Sequence, residues 1–141
     1  MTRFIGILTA GVLFSLSLLH AYWAAGGRWG TGVTIPLRDG KPLFEPSPAA
    51  TLLVAFLLLS AGLVVLGRLG FWGSALPRWL FVAGSWTLVA VFIGRVVGDF
   101  RWFGLFKPTS ASAFAWWDTW LYVPLCFFLA LGCLIVALSE R

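Results

Sequence analysis

The stretch AATLLVAFLLLSAGLVVLG (Ala49–Gly67) runs nineteen residues without a charge or a proline. Its apolar residues do not alternate at the two-residue period of a half-buried strand. Nineteen residues of helix rise about 28 Å, close to the hydrocarbon thickness of a bilayer. The segment therefore reads as a membrane-crossing helix. Three further apolar runs have a similar length: Phe4 to about Ala25, about Trp79 to Gly98, and about Trp116 to Leu138. Strand-length alternation is absent from all four, which excludes a membrane β-barrel. The expected fold class is all-α, a four-helix transmembrane bundle forming one integral membrane domain over residues 1–141. Its helices fall at about 4–25, 49–67, 79–98 and 116–138, with two longer loops on one membrane face.

Composition points the same way. Apolar residues make up 60% of the chain and charged residues 11%, and the mean hydropathy is +0.95. A soluble domain carries about a quarter charged residues, so a soluble globular domain, a disordered tail and a fibrous repeat are all excluded. Ten Lys or Arg against five Asp or Glu give a net charge of +5. In a soluble chain that balance would raise nucleic acid as a partner. Here the basic residues stand singly between apolar runs with no basic stripe, so no nucleic acid is expected. The bilayer is the expected partner, and the cations read as topology determinants and headgroup contacts.

The first run follows Met1-Thr2-Arg3 and invites comparison with a secretory signal. His20, Tyr22 and Trp23 crowd the place where a cut would need small residues, so it is expected to persist as the first helix. Cys126 and Cys133 both lie in the last run. Seven residues of helix separate them by about 10 Å, beyond the reach of a disulfide, and they read as small apolar packing groups.

The connections are unequal. Gly26 to Pro48 is long, with Arg38-Asp39-Gly40-Lys41 as a tight-turn signal. Arg68 to Arg78 is short, and Asp99 to Ala115 is long again. Basic residues occur on both sides. Arg3, close before the first helix, favours cytoplasmic N- and C-termini.

Depth along the helices sorts the polar residues. His20 near the end of the first helix, Arg95 near the end of the third, and Asp118 near the start of the fourth are expected in one layer beneath the two long loops. Asp99 would continue the Arg95 face one turn on. Arg101, Tyr122, and Glu45 if its loop folds inward, are further candidates. Six of the nine Trp (Trp23, Trp29, Trp102, Trp116, Trp117 and Trp120) belong to the same end. An interfacial belt accounts for them, but their excess on one face also fits an aromatic-lined pocket, leaving the opposite face plain. Ionisable groups at membrane depth face the bundle interior or a wet cavity. Arg95 with Asp99 or Asp118 therefore reads either as a structural ion pair or as part of a ligand site. The single His20 cannot form a multi-histidine metal site, and no metal or cofactor is expected. Gly94 and Gly98 form a Gly-x-x-x-Gly step, suited to helix packing within the bundle or to a homo-oligomer contact.

Three stretches bear a resemblance: His20-Ala-Tyr-Trp-Ala-Ala-Gly-Gly-Arg-Trp-Gly30 with Pro36, Phe100-Arg-Trp-Phe-Gly-Leu-Phe-Lys107, and Phe114-Ala-Trp-Trp-Asp-Thr-Trp-Leu-Tyr-Val-Pro-Leu-Cys126. Together they resemble the signatures of a bacterial domain-of-unknown-function family of small integral membrane proteins. That resemblance implies four membrane helices and a bacterial inner-membrane setting, and it carries no activity. Its stretches also contain Gly27, Lys107 and Pro124.

The expected function is that of a membrane protein binding a small amphiphilic or lipid-like ligand near one face. The ligand-binding residues would be His20, Trp23, Arg95, Asp99, Arg101, Trp117, Asp118 and Tyr122. If chemistry occurs, His20 and Asp118 are the candidates for proton transfer, and Arg95 or Arg101 would hold an anion. No nucleophile elbow, phosphate loop or dinucleotide fingerprint names a reaction. The alternatives are an accessory subunit of a membrane complex and a small transporter. Against the transporter, the central thirds of the helices lack Asp, Glu, Lys and Arg.

Overall fold

A computed structural model of the chain describes residues 1–38, 40–108 and 112–139. The four apolar runs form α1 (Thr2–Ala24), α2 (Pro48–Arg68), α3 (Arg78–Val97) and α4 (Ala113–Ala137). All four are long and apolar enough to cross a membrane. The chain is a multi-pass membrane protein built as a four-helix bundle. α1 packs against α2 and α4, and α3 against α4 and α2, which leaves α1 and α3 on a diagonal. Between α1 and α2 lie one turn of 3-10 helix (Thr31–Val33) and a hairpin of β1 (Leu37–Arg38) and β2 (Lys41–Pro42). The strands pair antiparallel, Leu37 with Pro42 and Arg38 with Lys41. Gly40 takes a positive φ of 76° in the turn, as a two-residue hairpin loop requires; its neighbour Asp39 lies outside the described residues.

Local chemistry sets the helix ends. The Ser47 hydroxyl accepts from the Ala50 N–H at 3.2 Å, and Pro48 opens α2 where a missing N–H costs nothing. Ser112 caps α4 in the same way by accepting from the Ala115 N–H, which starts that helix three residues ahead of Trp116. α4 is not a uniform α-helix. Pro124 has no N–H for the carbonyl four residues back, and its ring crowds that carbonyl. The helix widens into a π turn over Asp118–Tyr122, where the Val123 N–H reaches the Asp118 carbonyl. Hydropathy alone does not reveal this turn.

Packing follows the rules of a membrane interior. Leu13, Val65, Leu129, Cys133 and Val136 are wholly buried between the helices, while Leu52, Leu53, Phe56, Val91 and Phe127 face outward. Small residues let helices close up: a side chain at Gly132 would strike Thr9, and one at Gly62 the Phe14 ring. Cys126 is half-buried, Cys133 is buried, and both are free thiols. Buried hydroxyls are satisfied, as a water-free interior demands. Ser17 donates across to the Ala55 carbonyl at 2.7 Å, while Thr9 and Ser85 donate within their own helices.

Since lipid is as apolar as leucine, packing rather than exposure to solvent decides what a core side chain is worth. Leu13→Ala should lower unfolding free energy in detergent micelles by about 2–5 kcal/mol. Lipid-facing Leu52→Ala should change it by no more than about 0.5 kcal/mol. Chemical or thermal unfolding of the two variants side by side checks this.

Candidate functional site

The polar layer beneath the long loops is built around one carboxylate. Asp118, on the π turn of α4, has 0% of its surface exposed. Its Oδ1 accepts from Arg95 Nη2 of α3 at 2.5 Å, and its Oδ2 accepts from Lys107 Nζ at 2.9 Å and from the Gly104 N–H at 2.9 Å. Lys107 Nζ also donates to the Gly104 carbonyl at 3.1 Å and to Thr119 Oγ1 at 2.9 Å. One buried anion thus ties α3, the following loop and α4 together. Two cations meet one carboxylate, so the cluster keeps a single positive charge. The Arg95 guanidinium lies 4.6 Å from the Phe103 ring centre, and among the described residues its buried Nη1 has no hydrogen-bond acceptor.

The loop that supplies Gly104 and Lys107 is folded tightly upon itself. Gly98 ends α3 with φ 85° and Gly104 takes φ 94°. Their backbones touch, and a Cβ on either would collide with the other segment's main chain. The Leu105 N–H donates to the Val96 carbonyl at 2.8 Å and closes the loop. At its apex Phe100 adopts φ 61°, unusual for a non-glycine residue. Asp99 holds that apex, its Oδ1 accepting from the N–H groups of Arg101, Trp102 and Phe103 at 3.0, 2.7 and 3.1 Å. Desolvation works against its charge, yet these backbone N–H groups prevail and hold the Asp99 carboxyl below the usual carboxylate range.

Several expected site residues therefore lie elsewhere. Asp99 does not continue the Arg95 face, because α3 stops at Val97 and the carboxylate is spent on its own turn. Arg101 is exposed over the Trp102 ring, at 5.5 Å from its centre. His20 Nδ1 bonds the Leu16 carbonyl of its own helix at 2.8 Å, and the ring meets Trp23 edge-on. Trp117 packs against Trp116 at the surface, and Glu45 is exposed. Gly94 faces outward with nothing near it, while Gly98 is consumed in the loop closure. The Gly94/Gly98 step is thus not a packing face within the bundle. Nor is the opposite face plain: Arg68 is 7% exposed there and donates to the Ala137 and Ser139 carbonyls at the end of α4.

Trp23 and Tyr122 hold the other long loop. Trp23 Nε1 donates to the Trp29 carbonyl at 2.8 Å, and Tyr122 Oη donates to the Val33 carbonyl at 3.1 Å. Lys107 is the residue that depth reasoning missed. It lies in a loop, outside any helical register, and only its place beside Gly104 in the Phe100–Lys107 stretch pointed to it.

Chemically the cluster is an anchor: three donors bind the Asp118 carboxylate, and none of its surface is exposed to an approaching substrate. Fold and cluster together define a small, four-helix, multi-pass membrane protein with a braced loop face. Its sequence belongs to the family described as protein of unknown function DUF3995, which matches residues 13–133. No curated protein and no solved structure matches the chain.

Removing one partner of a buried ion cluster strands the others. Asp118→Asn should cost about 3–5 kcal/mol of stability. In a double-mutant cycle, Arg95→Gln with Asp118→Asn should cost clearly less than the sum of the single changes; strict additivity would show that the two side chains are not coupled. Asp99 gives a pH prediction. Because its folded carboxyl lies low, its contribution is complete above the ordinary value of about 4 and is lost as pH falls through the folded value. Amide exchange at Arg101–Phe103 should accelerate selectively in that acid range, and Asp99→Ala should bring the fast exchange to neutral pH.

Proposed function

We propose that this protein binds an amphiphile at its loop face, with the apolar tail of the ligand held between α1 and α2. The supporting observation is a groove of about 710 Å3 lined by Ser17, Leu18, Ala21, Leu53, Phe56 and Leu59, among others. The one hydroxyl in that wall, Ser17, is already spent on Ala55, so the groove offers an acyl chain only hydrocarbon. The segment that joins α1 to α2 spans the loop end of this groove, and Tyr122 fastens that segment through Val33. In this reading the Asp118 cluster does not touch the ligand. It anchors the Pro124-induced π turn that carries Tyr122, and through it the frame around the groove mouth. Polar groups of the α1–α2 segment meet the head of the amphiphile.

The setting that accompanies this reading is a bacterial plasma membrane with both termini cytoplasmic. Arg3, close before the first helix, supports that orientation. A second reading, an accessory subunit, draws on Phe100 and Phe106. Their rings stack at 5.8 Å between centres and stay over half exposed at the loop face, as a protein contact would require.

Native mass spectrometry of the protein in mild detergent tests the first reading. A bound amphiphile is expected to survive purification and to be lost from Ala21→Trp, which fills the groove, at unchanged unfolding temperature. Retention of the same adduct by Ala21→Trp contradicts it. A co-purifying protein released by Phe106→Ala would instead favour the second.

A further inference from the structure

The terminal face holds a second cavity, remote from the groove. It measures about 420 Å3 and is lined by Arg3 at the start of α1, Arg68 at the end of α2 and Arg78 at the start of α3, together with the α2–α3 turn. Three helix ends thus each contribute one arginine to the lining of one space. Among the described lining residues there is no carboxylate. Arg3 and Arg78 are both exposed at the rim of this space, and two such cations are each worth more when an anion lies between them.

The walls are fixed. Trp72 Nε1 donates to the Leu63 carbonyl at 2.7 Å, and its ring meets Phe81 edge-on at 5.4 Å. Arg68 is held by carbonyls at the end of α4. Arg3 lies over the Phe71 ring at 5.8 Å and is exposed. Arg3 and Arg78 are therefore the arms able to close on a ligand, with Arg68 as the buried base of the cavity. All three sit at the ends of membrane-spanning helices, which is headgroup depth. Guanidinium groups at that depth, in a basic pocket between helices, match the paired oxygens of a phosphate.

We propose that this cavity binds a phosphate-bearing anion, either the headgroup of an anionic phospholipid or a soluble phosphate. The proposal does not rest on the amphiphile groove, since the two lie on opposite faces and share no residue.

The test is titration of the full chain in uncharged detergent, read by native mass spectrometry, with short-chain phosphatidylglycerol, short-chain phosphatidylcholine and inorganic phosphate. Phosphatidylglycerol should bind at least about fivefold more tightly than phosphatidylcholine, and Arg78→Gln and Arg3→Gln should each weaken it by about fivefold. Displacement by millimolar inorganic phosphate assigns the site to phosphate itself; lipid binding that resists such competition assigns it to the phospholipid. Equal binding of the two lipids, or arginine variants that bind like the parent, overturns the proposal. Arg3 is exposed and holds no structural bond to another helix, so its variant keeps the test valid if Arg78→Gln fails to fold. Ala21→Trp should leave this binding unchanged, which separates its failure from that of the groove.

Discussion

A charge withdrawn entirely from solvent must be met on every side, and Asp118 is met by Arg95, Lys107 and the Gly104 N–H. Each partner comes from a different part of the chain: the last turn of α3, a loop side chain and a loop backbone. An isolated carboxylate at this depth would cost many kcal/mol. The cluster is therefore all-or-none, and it dictates the path of the loop between α3 and α4. Gly98 and Gly104 have to be glycines for that path, because their backbones touch.

The same constraint reaches the other long loop. Pro124 forces the π turn that presents Asp118, and Tyr122 ends that turn with its hydroxyl on the Val33 carbonyl. Trp23, by donating to the Trp29 carbonyl, fastens the same loop from α1. The loop face is thus one braced unit with its ionic centre inside. At the terminal face the buried Arg68 ties the end of α2 to the end of α4, with an open cationic cavity beside it. The two faces suit different chemistry: a framed apolar groove at one, a phosphate-sized cationic space at the other.

Much of this was legible in the residues. Four apolar runs of bilayer length without strand alternation have no other stable arrangement than helices, and depth offered Arg95 either Asp99 or Asp118 as a partner, of which the structure takes Asp118. What depth could not give was the end of α3. Extending the helix to Asp99 placed a fourth charge in the layer, whereas Gly98 breaks out into a positive φ and Asp99 turns back on its own loop. Lys107 was hidden for the complementary reason: a loop residue has no register from which to predict its depth. His20 stays out of the cluster, its ring bonded back to the Leu16 carbonyl of its own helix and set edge-on to Trp23. The groove and the cationic cavity arise from how separate helices and the α2–α3 turn come together, which periodicity does not record.

Hydrogen–deuterium exchange of the full chain in detergent, parent against Asp118→Asn, addresses the role of Asp118 most directly. If this carboxylate braces the loop face, the variant should exchange faster across 98–107 and, through Tyr122, across 31–36. The terminal halves of the helices and the α2–α3 turn should stay protected. Unchanged exchange in both loops, or loosening spread evenly along all four helices, would contradict it.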